Sequence, residues 1–191
     1  MMGRSHLLLA GAAYVALAAR PIQTPYATLT APTLGGIVTD PPMSLLLSFI
    51  IAAACGLAPD IDKHSSWAAR SLGLPTRALS WGIEHSFGHR SGFHSLLGLG
   101  LAYLLGNLLG GLIGVTGLGA LIAFGWGVHL LTDAWTVHGI PLFWPLHVMR
   151  VRLPPWLSTG SPLETVMLVL SLVALAAYAL GPQVWSAAAF R

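Results

Sequence analysis

The sequence predicts an all-α, polytopic transmembrane helical bundle of about five spans, with a polar site at the cytoplasmic helix ends. Three observations carry this. Of 191 residues, 55% are hydrophobic and only 8% charged, with a mean hydropathy of +0.74, where a soluble domain has about 25% charged residues. Five apolar stretches are separated by Gly- and Pro-rich joints. The metal-competent side chains gather at one set of stretch ends.

The length suits one membrane-embedded domain over residues 1–191. The nine Lys and Arg residues are spread singly and form no basic stripe, so no nucleic-acid partner is expected despite a pI near 9.5. A lipid surface accounts better for the basic balance. Cys55 is the only cysteine, which rules out an intrachain disulfide.

The apolar stretches cover about 5–20, 43–58, 93–113, 117–135 and 163–181. Each reaches or approaches the roughly 20 residues that span a bilayer core. The first, in which Arg4 is soon followed by "HLLLAGAAYVALAA", also has the basic flank and short apolar core of a secretory signal, but no clean A-x-A site precedes a mature start. Arg20-Pro21, Pro41-Pro42, Gly117-Leu118-Gly119, Pro154-Pro155 and Gly181-Pro182 stop or bend helices at the joints. The connections 21–42, 59–92 and 136–162 are therefore loops or interfacial pieces. Trp67, Trp81, Trp135, Trp144 and Trp156 fit an interfacial aromatic belt. Gly106, Gly110 and Gly114 let the third stretch pack closely, inside the monomer or in a dimer. The oligomeric state stays open.

Lys and Arg in short loops favour the cytoplasm. With five spans, Arg4, Lys63, Arg70, Arg77, Arg90, Arg150 and Arg152 share one side and only Arg20 and Arg191 the other. The first side is thus expected in the cytoplasm, and on it lie the polar residues at the stretch ends. His6 opens span one, Asp60 and Asp62 close span two, His89 and His94 lead into span three, His129 and Asp133 close span four, and Glu164 opens span five. Ionisable groups at membrane depth are costly and mark function by default.

Imidazole and carboxylate together suit zinc or another first-row divalent ion, manganese included. His129 and Asp133, four residues apart, share one helix face as a chelating pair requires. Alone, such a pair also occurs as a helix-end hydrogen bond. Asp60 and Asp62 also suit turn caps, Glu164 a helix-dipole partner beside Pro162, His6 a lone helix-start histidine, and Ser95 a helix cap. His64, His85, His138 and His147 read as interfacial or supporting residues.

An N-terminal histidine, "GLAPDID" at 56–62, "HRSGFHSLL" at 89–97, "HLLTDAWTVHGIPLFWP" at 129–145 and "TGSPLE" at 159–164 resemble, in order and context, the YdjM-like, LexA-regulated group of membrane-bound metal-dependent hydrolases. The resemblance covers most of the chain. It implies a multi-pass prokaryotic inner-membrane protein, related to the helical zinc phospholipase C and P1-nuclease enzymes, with a metal site at His6, Asp60, Asp62, His89, His94, His129, Asp133 and Glu164. The family often has histidine directly after the second aspartate; here Lys63 stands there and His64 follows.

The expected activity is divalent-metal hydrolysis of a phosphoester in a lipid or lipid-linked substrate at the cytoplasmic surface, where helix ends lie at headgroup depth. Asp60 and Asp62 would bridge metals or accept the proton of the attacking water, and Arg90 would clamp the phosphate or anchor a headgroup. The rivals are a metal transporter or sensor and a structural membrane protein with a metal staple. A transporter would place ligands near the bilayer midplane. No G-x-S-x-G elbow supports a serine hydrolase.

Overall fold

The computed structural model describes residues 3–36, 40–71, 73–87, 92–146 and 149–181. Each expected apolar stretch forms a helix, with ends within a few residues of the sequence boundaries: α1 (Gly3–Ala19), α2 (Pro41–Cys55), α5 (Leu96–Leu112), α6 (Leu118–Ala134) and α7 (Pro162–Leu180). The 59–92 connection adds two short helices, α3 (Trp67–Ser71) and α4 (Leu74–Phe87), and two 3₁₀ turns, Ala58–Asp62 and Gly92–His94.

The helix starts follow capping chemistry. Asp40 accepts from Met43 N at 3.1 Å ahead of Pro41 and Pro42, Ser95 accepts from Gly98 N at 3.2 Å, and Ser161 accepts from Glu164 N at 3.2 Å ahead of Pro162. A side-chain oxygen satisfies an orphan amide in each case, and proline at the start loses no bond the helix needs. Ser95 is thus a cap.

Helix α6 is central, packed against α1, α2 and α5, while α7 leans on α1. Small residues permit the closest approaches. A Cβ at Gly106 would stand 2.7 Å from Gly119 Cα, and one at Gly119 would stand 2.6 Å from the Asn107 amide, so α5 and α6 meet almost backbone to backbone. Gly106 and Gly110 therefore pack inside the monomer. The α5–α6 connection pairs its strand β4 (Val115–Thr116) with β3 (Gly35–Gly36), and β1 (Ile22–Gln23) pairs with β2 (Thr28–Leu29) in the 21–40 loop.

Two apolar clusters fill the interior. Tyr14, Leu34, Ala52 and Leu121 lie around the middle, and Trp126, Leu130, Ala134 and Ile140 lie toward the C-terminal end of α6. That end is buried, and the returning 135–161 segment satisfies its carbonyls. Leu153 N donates to Ala134 O at 2.7 Å and Leu157 N to Trp135 O at 2.7 Å.

Outward faces remain apolar. Leu104, Leu108 and Leu112 on α5 and Val169, Leu170 and Val173 on α7 are all more than half exposed, a surface suited to lipid rather than water. Pro41–Asp62, 22 residues, and Pro162–Leu180, 19 residues, are long and apolar enough to cross a membrane. Helices α1, α5 and α6 have 17 residues each, slightly under a full crossing.

Candidate metal centre

Four segments deliver the polar cluster. The first turn of α1 brings His6, the 3₁₀ turn after α2 brings Asp60 and Asp62, the 3₁₀ turn before α5 brings His94, and the last turns of α6 bring His129 and Asp133. A proline break after α2 forces the tight turn that points the two aspartates inward. The side chains of His6, His94, His129, Asp62 and Asp133 are at most 1% exposed, and that of Asp60 is 17% exposed. Burying so many ionisable groups is costly unless charge and hydrogen bonds compensate.

The geometry fixes which nitrogen of each ring faces inward. His129 Nδ1 lies 2.7 Å from the Gly56 carbonyl, which can only accept, so Nδ1 carries the proton. Thr132 Oγ1 gives its one proton to the His129 carbonyl at 2.9 Å and therefore accepts from His6 Nδ1 at 2.8 Å. Asp62 Oδ2 accepts from His94 Nδ1 at 3.0 Å. All three rings thus turn Nε2 toward the same space.

Those nitrogens converge on one another and on carboxylate oxygens. His129 Nε2 and His94 Nε2 are 3.2 Å apart, His6 Nε2 is 3.3 Å from Asp133 Oδ1, and Asp60 Oδ1 is 3.8 Å from both His94 Nε2 and His129 Nε2. Asp133 Oδ2 lies 3.7 Å from His94 Nε2 and 3.9 Å from His129 Nε2. The rings of His6 and His129 stack at 3.8 Å between centroids. A single proton bridges only one such pair, whereas a divalent cation satisfies several together. Among the described residues, two groups have the spacing to hold an ion, with ligand atoms within 4.8 Å of one another: His6, His129 and Asp133, and Asp60, His94 and His129. Each ring's far nitrogen is held by an oxygen, the supporting arrangement that orients metal-binding histidines.

Of the residues named from sequence, His6, Asp60, His94, His129 and Asp133 come together here. Asp62 lies behind His94, on its Nδ1 side. Glu164 stands next to α1, where its carboxylate accepts from Ser5 Oγ at 3.0 Å and from Gly160 N at 2.7 Å; it is in neither ligand group. His89 and Arg90 lie outside the described residues. Thr132 and the Gly56 carbonyl hold rings of the cluster, and Ser5 holds Glu164, without having been singled out. Their only sequence signal is adjacency, Ser5 before His6 and Thr132 before Asp133.

A helical bundle with a lipid-suited surface and a buried His/Asp cluster that could hold a metal ion defines the class of membrane protein. The chain belongs to the YdjM inner membrane protein family, which matches residues 1–190 and places it among prokaryotic inner-membrane proteins. It is 33% identical over 141 residues to the uncharacterized protein YvsG of Bacillus subtilis, covering 71% of this chain and 83% of that one. It is 37% identical over 101 residues to the inner membrane protein YdjM of Escherichia coli and to that of Shigella flexneri, a match spanning 51% of this chain and 48% of each relative. No solved structure matches it significantly.

Proposed function

We propose that this chain is a multi-pass, membrane-bound hydrolase that uses a divalent metal, zinc in the first instance, to cleave a phosphoester of a lipid or lipid-linked substrate at the cytoplasmic face of the membrane. The observation that carries the reading is the pair of ligand groups sharing His129, in which ring Nε2 atoms and carboxylate oxygens face one another. Mixed imidazole and carboxylate donors suit zinc, with manganese as the alternative. A divalent ion there supplies Lewis-acid activation of water and of a phosphoryl oxygen.

The chain's own residues divide the remaining work. His6, His129 and Asp133 form one set of metal holders and Asp60, His94 and His129 the other, while Asp62 and Thr132 fix the rings. Asp60, the most exposed of the group, meets the substrate side and accepts the proton of the attacking water. His89 adds an imidazole donor and Arg90 pairs with phosphate oxygens. Glu164 ties the start of α7 to α1 beside His6. With five crossings, the seven-to-two bias of Lys and Arg supports placing the site in the cytoplasm.

One observation favours a second reading, a structural metal staple: apart from Asp60 the cluster is almost fully enclosed, as structural zinc sites are. Phosphate and fatty-acid release from mixed lipids separates the two. The hydrolase reading expects phosphoester turnover that chelation abolishes, zinc restores and Asp60→Asn removes. A protein that binds metal, loses thermal stability on chelation and releases neither product is a staple. Fatty-acid release without phosphate moves the reaction to a carboxylester.

A further inference from the structure

Beside the metal centre lies a cavity of about 830 Å³ whose lining side chains, among the described residues, are all apolar or aromatic. Its volume is in the range of ligand pockets, but those pockets usually carry a few polar groups and the described residues offer almost none here. The indole N–H of Trp126, its most evident donor, is already given to the Phe93 carbonyl at 2.9 Å. An apolar space of this kind does not hold ordered water well, and a small soluble phosphoester has nothing to fill it.

The cavity shares its walls with the ligand cluster. Ala58 and Ile61 bracket Asp60 in the 3₁₀ turn, Phe93 directly precedes His94, and Trp126 lies one turn before His129 on α6. From there the cavity runs along α5 past Leu97, Leu101 and Leu105, positions four residues apart on one helix face and spanning about 12 Å of the helix axis. The start of α5 is at the metal centre, so the groove leads away from the polar cluster into the apolar part of the bundle. A membrane lipid has this polarity, with its headgroup at one end and its hydrocarbon running inward.

The geometry points to this cavity as the binding groove for one hydrocarbon chain of the substrate, with the phosphate-bearing headgroup at Asp60 and the chain terminus near Leu105. This deepens the hydrolase reading and rests on it. It narrows the substrate class to phosphoesters carrying a long acyl or isoprenoid chain, and it makes the α5 face a determinant of chain length.

The test is photocrosslinking of the full-length, zinc-loaded protein in nanodiscs. One phosphatidic-acid probe carries a diazirine near the acyl carboxyl, and a second carries it at the chain terminus; labelled peptides are mapped by mass spectrometry. The head-proximal probe should mark the stretch around Phe93 and Leu97, and the terminal probe the stretch around Leu101 and Leu105. Unlabelled phosphatidic acid should compete this labelling away. Ala102→Phe, which fills the groove, should abolish it, while Leu104→Phe, on the exposed side of α5, should leave it intact. Labelling spread evenly over Leu104, Leu108 and Leu112, not competed in the wild type and indifferent to Ala102→Phe, would overturn the proposal. Competition in the wild type gives this answer even if the filled variant does not fold. Elemental analysis of the same samples separates the two ideas. Metal with even labelling removes the groove alone, and ordered labelling without metal removes the hydrolase reading.

Discussion

Thr132 has one hydroxyl proton, and the direction of that proton decides whether His6 Nδ1 donates to it or accepts from it. With the proton on the His129 carbonyl, the oxygen is left to accept from His6 Nδ1. Thr132→Val keeps the shape and removes the acceptor, leaving a buried donor unpaired. Zinc affinity, read by competition with a chromophoric chelator, should fall about 10- to 100-fold, and Thr132→Ser should recover most of it. Equal affinity in Thr132→Val and wild type would mean that His6 is not a ligand. The cluster residues themselves were legible in the sequence because polar side chains are rare in so apolar a chain. Their supporting partners were not. Serine, threonine and a backbone carbonyl look alike at every helix end until the fold pairs them. Nor does alternation in "PDID" say which aspartate faces the ion, since the 3₁₀ turn sends Asp60 to the Nε2 side of His94 and Asp62 to the Nδ1 side.

Helices α5 and α6 depend on their glycines unequally. Gly119 sits against the backbone of Tyr103 and the amide of Asn107, whereas a Cβ at Gly100 would meet nothing within 4 Å. Gly119→Ala should therefore overpack the helix pair and cost about 1–3 kcal/mol. Gly100→Ala should be neutral or stabilising by up to about 1 kcal/mol, since alanine is the better helix former. Thermal unfolding in detergent checks the contrast, and equal midpoints would show that α5 and α6 are not in close contact. The five apolar helices were readable from composition and from Gly/Pro punctuation. Helices α3 and α4 were not, because the 59–92 segment mixes apolar, basic and breaker residues, and its helices form against the 3₁₀ turn at Asp60 rather than from a strong pattern of their own.

At the scale of the whole molecule, helix direction sets the orientation. Helix α1 begins at the metal centre and ends before the 21–40 loop, so Tyr26, 98% exposed, and Lys63, just past Asp62, belong to opposite ends of the bundle. In a Cys55→Ser background, Lys63→Cys should react with a membrane-impermeant maleimide only after the cytoplasmic side is opened, and Tyr26→Cys should react in intact cells with the outer membrane permeabilised. The reverse pattern would place the site on the outer face and remove the basis for a cytoplasmic substrate. The measurement that tests the central claim most directly is the metal content of the detergent-purified protein by elemental analysis, wild type beside the His129→Ala, Asp133→Ala double variant. The convergence of His6, Asp60, His94, His129 and Asp133 predicts stoichiometric zinc or manganese in the wild type and its loss in the variant. A folded wild type that takes up neither metal, even when both are supplied, would contradict the account and reduce the cluster to helix-end hydrogen bonding.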